Sequence, residues 1–138
     1  LIKAGGVSVI HPDILTCGGA LELRKIADIA DENGVAVAIH MAESPIACMA
    51  AIQTAAAMHN VLAVEYHSID VPWWSDIAGG LPHPIIENGF IKVPDKPGLG
   101  IDSLNDELLS QHINPDIPGM WEPTDSWNRE FSNDRIWS

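Results

Sequence analysis

Three short apolar segments of this chain each end in a residue that can accept or donate a proton. The segments end at Asp13, His40 and Glu65, and helical patterns separate them. The interval from each of these residues to the next is about the length of one strand–helix unit. In folds built from such units, the active sites lie at the C-terminal ends of the parallel strands. We therefore expect these three side chains to lie along one rim of a sheet.

The residue types at that rim suit general acid–base chemistry. Asp13 can accept a hydrogen bond from one imidazole nitrogen of His40, which fixes the tautomer and leaves the other nitrogen free to move protons. Glu65 can act as an acid or a hydrogen-bond donor if it is partly buried. Each residue alone also has an ordinary role, as a turn or cap residue, a structural histidine and a solvated acid. The shared spacing favours a common pocket.

The intervening segments predict helices that would hold these strands in place. Residues 20–32 carry one apolar stripe and end at Asn33-Gly34, which indicates an amphipathic helix packed on a sheet. Ser44 is a cap for a second helix, in which Pro45 is the first residue. Residues 46–58 are apolar on most sides, so we expect cover on more than one face, including cover by a second subunit.

The repeat stops after Tyr66, and the rest of the chain predicts smaller elements. Residues 71–77 suggest a short helical turn, and Asn88-Gly89 between apolar runs predicts a hairpin. Residues 104–113 predict a helix capped by Asp102 or Ser103. From residue 114 onward we expect an irregular tail that covers a neighbouring element or subunit with its tryptophans, Trp121, Trp127 and Trp137.

Composition excludes several classes of partner. The chain has 138 residues and a net charge of −12, from 19 acidic and 7 basic residues. This charge repels phosphate backbones and anionic membranes, so we expect no nucleic acid and no membrane partner. No apolar run approaches the ~20 residues that span a bilayer, which predicts a cytoplasmic location. Cys17 and Cys48 are expected to stay reduced and packed, with a disulfide left open.

Two strand–helix units and one further strand cannot close a barrel, and alone they would leave two sheet edges open. The alternatives are a small open sheet or the last part of a barrel. Residues 1–6 resemble the last turn of a helix closed by glycine. We therefore expect a C-terminal piece of a longer protein.

Several segments together resemble the mandelate racemase and muconate-lactonizing branch of the enolase superfamily, over most of residues 1–105. The matching segments are Pro12-Asp13-Ile14, Cys17-Gly18-Gly19 with Leu23-Arg24-Lys25-Ile26, Ala38-Ile39-His40, the strand ending at Glu65, and residues 89–100 with Pro97-Gly98-Leu99-Gly100. The resemblance implies an α/β fold: the last strands of a TIM-like (β/α) barrel plus a C-terminal segment, from a longer two-domain protein. Residues 1–70 would be the barrel units, and residues 71–138 an extension packed on the barrel or capping domain.

The resemblance also implies roles for the rim residues. The Asp13–His40 pair would abstract or return a proton next to a carboxylate, and Glu65 would hydrogen-bond that carboxylate as an enediolate forms. Mg²⁺ would carry the remaining charge, with its ligands on strands that this chain lacks. We therefore assign no metal ligand here, neither Glu43 nor Asp70.

Residues 40–46 and 70–74 look most like the acid-sugar dehydratases, which form 2-keto-3-deoxy acids. The expected substrate is a small sugar acid, with Glu43, His67 and Trp73 as weaker substrate-binding candidates.

His11 is expected to face away from Asp13 and to pack, like the histidines at 59, 83 and 112. The full-length form is expected to be a homo-oligomer, and this chain alone to be inactive. The alternatives are a racemase or cycloisomerase and a non-catalytic interaction protein.

Overall fold

The computed structural model describes residues 1–113 and 116. The tail predicted from residue 114, with its three tryptophans, lies outside the described residues apart from Asp116. The strands are β1 (Val9–Ile10), β2 (Ala36–Ile39), β3 (Val61–Val64), β4 (Ala78–Gly79), β5 (Ile86–Glu87), β6 (Phe90–Ile91) and β7 (Ser103–Leu104). The α-helices are α1 (Ala20–Asp31), α2 (Pro45–Ala55) and α3 (Asp106–His112), and short 3₁₀ turns lie at Ile2–Ala4, Ser68–Asp70 and Trp74–Ile77.

The first three strands form a parallel sheet in the order β1-β2-β3. Val37 is the centre of this sheet, with Ile10 opposite it on one side and Val61 on the other. The β2–β3 register shifts just after Val37, and it resumes with Ala38 opposite Ala63. The predicted strands, the helices between them and their parallel order are therefore confirmed.

Helix α1 packs its apolar stripe on one face of this sheet. Leu23, Ala27 and Ala30 are almost fully buried, and they share a core with Val37 and Ile39. An apolar stripe with the helical period is typical of a helix that is covered on one side only. Gly34 follows the helix with a φ of 68°, as the Asn-Gly pair predicts.

Helix α2 is covered on two sides, as expected, and part of the cover is the chain's own C-terminal segment. Ala51 joins the sheet core, whereas Cys48 and Met49 join a second core with Trp74 and its neighbours. The second subunit allowed for in the prediction is thus not what encloses this second face. Both cysteines are free thiols, so the disulfide alternative is excluded for this structure.

The C-terminal segment confirms the hairpin and corrects the last helix. Strands β5 and β6 pair antiparallel around Asn88 and Gly89, and φ is positive at both, as a tight two-residue turn requires. The last helix begins at Asp106 and its cap is Asn105, so the predicted caps Asp102 and Ser103 are wrong. The helix starts late because Ser103 and Leu104 pair with Ala78–Gly79 as strand β7. A side chain on Gly79 would overlap Ser103, so glycine permits this close pairing.

The sheet is open at both outer strands among the described residues. Leu62 on β3 is 66% exposed and Val9 on β1 is 44% exposed, so part of the apolar strand surface faces outward. An open parallel sheet with one helix-covered face is the arrangement expected of part of a barrel. In the part of the chain that the structure describes, none of the helices has the length and apolar character needed to cross a membrane.

Candidate active site

Backbone pairing brings the ends of the first three strands together. Asp13 and His40 form an isolated parallel bridge just beyond β1 and β2. The His40 amide donates to the Pro12 carbonyl at 2.9 Å, and the Glu65 amide donates to the Ile39 carbonyl at 2.9 Å. The spacing of the three residues along the sequence thus becomes proximity at one rim, as predicted.

Asp13 and His40 form a close pair. His40 Nδ1 lies 2.7 Å from Asp13 Oδ2, and the Asp13 side chain is buried. The other oxygen, Oδ1, accepts the amide hydrogens of Leu15 at 2.8 Å and Thr16 at 2.9 Å. Asp13 therefore has both of the roles considered from the sequence: one oxygen holds the turn and the other holds the imidazole.

This pairing shifts both ionisation equilibria toward the charged forms. Burial alone would raise the pKa of Asp13, but hydrogen bonds from His40, Glu43 and two backbone amides lower it to about 2. The hydrogen bond to Asp13 raises the pKa of His40, and the negative charges of Glu65, Asp13 and Glu43 add to that effect. An aspartate that stays ionised and fixes Nδ1 leaves His40 Nε2 as the nitrogen available for proton transfer.

Glu43 borders the pair from the loop that precedes α2. Its Oε1 lies 3.8 Å from His40 Nδ1, and its Oε2 accepts the Ala42 amide at 3.0 Å. Burial and the neighbouring Asp13 carboxylate raise the pKa of Glu43. The indole of buried Trp74 donates to the Glu43 carbonyl at 2.7 Å, which ties this loop to the second core.

Glu65 lies among three histidines. Its Oε1 is 2.7 Å from His67 Nε2, and its Oε2 is 3.1 Å from His11 Nε2 and 3.7 Å from His40 Nε2. The hydrogen bond with His67 lowers the pKa of Glu65, and the charge of His67 and the hydrogen bond with His11 act in the same direction. The structure thus brings Glu65 and His67 to the same pocket edge as His40.

His11 also belongs to this cluster, and the expectation that it faces away is wrong. Its ring lies edge-on to that of His40, with 5.3 Å between ring centroids. The missed signal is strand periodicity, because residues two apart along an extended segment point to the same face. His11 and Asp13 are two apart, just beyond the end of β1.

Trp73 packs against helix α3, in a cavity that Glu43 also borders. Its ring stacks on His112, with centroids 3.9 Å apart and an angle of 13° between the planes. Both rings line a cavity of about 400 Å³ that Glu43 and Ser44 border on the rim side. Ser44 Oγ accepts the Ala47 amide at 3.4 Å, so its predicted capping role is confirmed.

The described residues do not fit a magnesium site. Asp13, His40 and Glu43 each offer one atom within 4.8 Å of the others. Mg²⁺ prefers an octahedral set of oxygen ligands, however. Both Asp13 oxygens and one Glu43 oxygen already accept hydrogen bonds, and the third member is an imidazole. The cluster is arranged as a proton-transfer pair with a nearby acid.

The fold and the site together define a class of protein, namely α/β proteins with an Asp–His pair at the C-terminal ends of parallel strands. A family model described as Enolase C-terminal domain-like matches residues 1–107. The chain therefore belongs to this family, which confirms the resemblance drawn from the rim and glycine motifs.

Curated relatives of this chain include sugar-acid dehydratases and a cycloisomerase. D-Xylonate dehydratase of Haloferax volcanii is 46% identical over 82% of this chain. D-Galactarolactone cycloisomerase of Agrobacterium fabrum is 32% identical and D-galactonate dehydratase of Variovorax paradoxus is 31% identical, each over 83% of the chain. The chain spans 27% to 32% of the length of these three relatives.

Solved structures agree with the fold. A mandelate racemase/muconate lactonizing enzyme-like protein from Rubrobacter xylanophilus superposes with a TM-score of 0.79 and 34% identity, covering 86% of this chain and 30% of that one. An enolase from Pantoea ananatis with bound d-gluconate and Mg superposes with a TM-score of 0.70 and 31% identity, covering 80% and 26%. The α/β fold is therefore that of the C-terminal barrel part of such proteins.

Proposed function

We propose that this chain forms the C-terminal barrel portion of an acid-sugar dehydratase. The reaction removes the proton α to a sugar-acid carboxylate, expels the 3-hydroxyl and yields a 2-keto-3-deoxy acid after tautomerisation. The dehydratases among the relatives support this class, and the His40–Asp13 pair is the observation on which the proposal depends. Residues 1–70 as barrel units and 71–138 as a C-terminal extension belong to the same proposal.

In this proposal His40 is the acid–base residue. Asp13 Oδ2 holds the Nδ1 hydrogen, so Nε2 has a lone pair that can take the α-proton. The imidazolium formed in that step faces an ionised Asp13, whose negative charge stabilises it. Nε2 then returns the proton, either to the departing hydroxyl or to the product carbon during tautomerisation.

Glu65 is proposed to contact the substrate carboxylate, and its surroundings define what it can do there. An ionised carboxylate only accepts hydrogen bonds, so it cannot by itself stabilise a developing enediolate. The adjacent imidazoles of His11 and His67 can supply the missing proton. Glu43 is proposed to contact the substrate from the opposite loop, and Trp73 to wall the adjoining cavity.

We propose Mg²⁺ as cofactor, with its ligands on barrel strands outside this chain; among the described residues, the cluster of Asp13, His40 and Glu43 does not fit it. The bound metal would stabilise the negative charge of the enediolate. The Pantoea ananatis structure, which contains d-gluconate and Mg, supports this part of the proposal.

The experiment uses the polypeptide expressed from the complete coding region that includes this chain. D-Xylonate, D-galactonate and D-gluconate are incubated with enzyme and Mg²⁺, and the 2-keto acid is measured as its semicarbazone. We expect turnover of at least one acid, with a loss of roughly a hundredfold or more in His40→Ala. His59→Ala is the matched control, because His59 is exposed at the opposite end of β3.

A cycloisomerase is the second candidate, because D-galactarolactone cycloisomerase is among the relatives. Product analysis by proton NMR separates the two: a dehydratase forms a 2-keto acid, whereas a cycloisomerase converts a lactone without net loss of water. Conversion of lactones alone would refute the dehydratase proposal. Unchanged behaviour of His40→Ala in every catalytic assay would instead favour a non-catalytic interaction protein.

A further inference from the structure

Both ring nitrogens of His11 have partners, and one partner fixes the position of a hydrogen. His11 Nδ1 lies 2.7 Å from the backbone carbonyl of Ala38 on β2. A carbonyl oxygen can only accept a hydrogen bond, so Nδ1 must carry the hydrogen. In a neutral imidazole the other nitrogen, Nε2, is then a bare acceptor.

The second partner makes that tautomer incompatible with an ordinary carboxylate. His11 Nε2 lies 3.1 Å from Glu65 Oε2 on the next strand but one. Two acceptors at this distance repel each other, so the contact requires a proton between them. That proton lies either on Nε2, giving an imidazolium and a carboxylate, or on Oε2, giving an imidazole and a carboxylic acid.

The charged groups around the pair come from all three strands and the loop before α2. His67 Nε2 is 2.7 Å from the other Glu65 oxygen, and His40 Nε2 is 3.7 Å from Oε2. Asp13 and Glu43 lie behind His40 and hydrogen-bond or approach its Nδ1. Among these histidines, His11 differs because a backbone carbonyl fixes its tautomer while its second nitrogen meets Glu65.

We propose that His11 and Glu65 share a single proton, and that His11 is a positioning residue that supplies this proton to Glu65 during turnover. As negative charge develops on the substrate carboxylate, the proton moves from His11 Nε2 to Glu65 Oε2, and the new O–H then turns from His11 toward the substrate and donates a hydrogen bond to it. When the enediolate collapses, the proton returns to Nε2. No other bond forms or breaks in this step. The inference rests on the proposed function, because it assigns a partner to Glu65 at the same site.

Two substitutions in the complete protein separate a proton-sharing role from a structural one. In His11→Gln an amide N–H can still donate to Glu65 Oε2, but it has no exchangeable acid proton to transfer. In His11→Asn the shorter amide can donate to the Ala38 carbonyl but does not reach Glu65 Oε2, while Glu65 Oε1 keeps its contact with His67. We expect both variants to lose kcat by about tenfold to a hundredfold, with KM changed much less. We also expect the pH dependence of kcat in both variants to differ from that of the unaltered protein.

A merely structural role predicts a different pattern. Glutamine would then restore kcat, and the pH profile of His11→Gln would coincide with that of the unaltered protein. Either result would overturn the proposal. His59→Gln is the control, and it should leave kcat, KM and the pH profile unchanged.

A second measurement does not depend on activity. Nitrogen-15 spectra of histidine-labelled protein report which ring nitrogen is protonated, with His11 assigned by its absence in His11→Gln or His11→Asn. We expect His11 Nδ1 to remain protonated at every pH, and Nε2 to become a bare acceptor in Glu65→Gln, where the amide can donate to it. A neutral His11 ring with its hydrogen on Nε2 would overturn the proposal. If the protein dehydrates no sugar acid, the proposed function fails, while these spectra still decide the proton sharing.

Discussion

Replacing Asp13 by asparagine tests the acid–base pair with little change in shape. The asparagine side chain retains an oxygen at the Oδ1 position, which still accepts the amide hydrogens of Leu15 and Thr16. It places an NH₂ group where Oδ2 accepted from His40. His40 Nδ1 must then become an acceptor, so the hydrogen moves to Nε2, the nitrogen that should take the substrate proton.

The magnitude follows from this geometry. A base with its lone pair on the wrong nitrogen loses most of the general-base contribution, which is roughly a hundredfold to ten-thousandfold in kcat. The lowering of the Asp13 pKa from 3.8 to about 2 corresponds to about 2 kcal/mol of folding free energy at neutral pH. Because the folded pKa is the lower one, this stabilisation is present above about pH 4 and is lost as pH falls toward 2.

The assay combines kinetics and unfolding of the complete protein. We expect Asp13→Asn to lose at least a hundredfold in kcat, and to lose up to about 2 kcal/mol of unfolding free energy at pH 7. Its difference from the unaltered protein should vanish near pH 2. Since Asp13 raises the pKa of His40, the rising limb of the activity profile should also move to lower pH in the variant. Near-normal turnover, or a limb that stays in place, would refute the role of the pair.

Three further substitutions test a helix cap, a close backbone approach and a buried hydrogen bond, each by thermal or denaturant unfolding, with Gly98→Ala as a control. Ser44→Ala removes the cap of α2 and should lower the free energy of unfolding by about 0.5–1 kcal/mol. We expect a value at the low end of the usual range because the cap hydrogen bond is long, at 3.4 Å. Gly100→Ala should lower the free energy of unfolding by about 1–3 kcal/mol, because φ is 78° and the added methyl would overlap Pro94. Gly98→Ala should lower it less, because a methyl group at Gly98 meets open space. Trp74→Phe leaves the Glu43 carbonyl unpartnered and should cost about 1–3 kcal/mol; an unchanged midpoint would contradict that role.

The sheet and its two helices were predictable because local and long-range requirements coincide there. Residues 35–39 are apolar without a gap, and they become the central strand. The apolar stripe of α1 reflects the repeat of a helix that is covered on one side. The Ser44–Pro45 pair reflects the need of a helix start for a cap and a compatible first residue. Parallel pairing then follows from the helix that separates each pair of strands, and it places Asp13 beside His40.

Other features depend on pairings between distant segments, which local patterns do not encode. The start of α3 was misplaced because Ser103 and Leu104 pair with Ala78–Gly79, and no local signal marks that pairing. The stacking of Trp73 on His112 likewise depends on where α3 lies. Tertiary contacts override propensity in such segments.

The site itself was predicted only as far as strand ends determine it. Position at a strand end places Asp13, His40 and Glu65 at one rim, but it does not state which hydrogens they hold. That depends on the Ala38 carbonyl, a backbone atom whose residue type carries no chemical signal, and on the β2–β3 register shift that precedes Ala38. The register shift places Glu65 level with His40 and Asp13, two residues beyond the level of His11, so an irregularity in the sheet brings the third strand's acid within reach of both imidazoles. Proton placement here therefore depends on strand register, whereas the presence of His11 on this face follows from its spacing of two residues from Asp13.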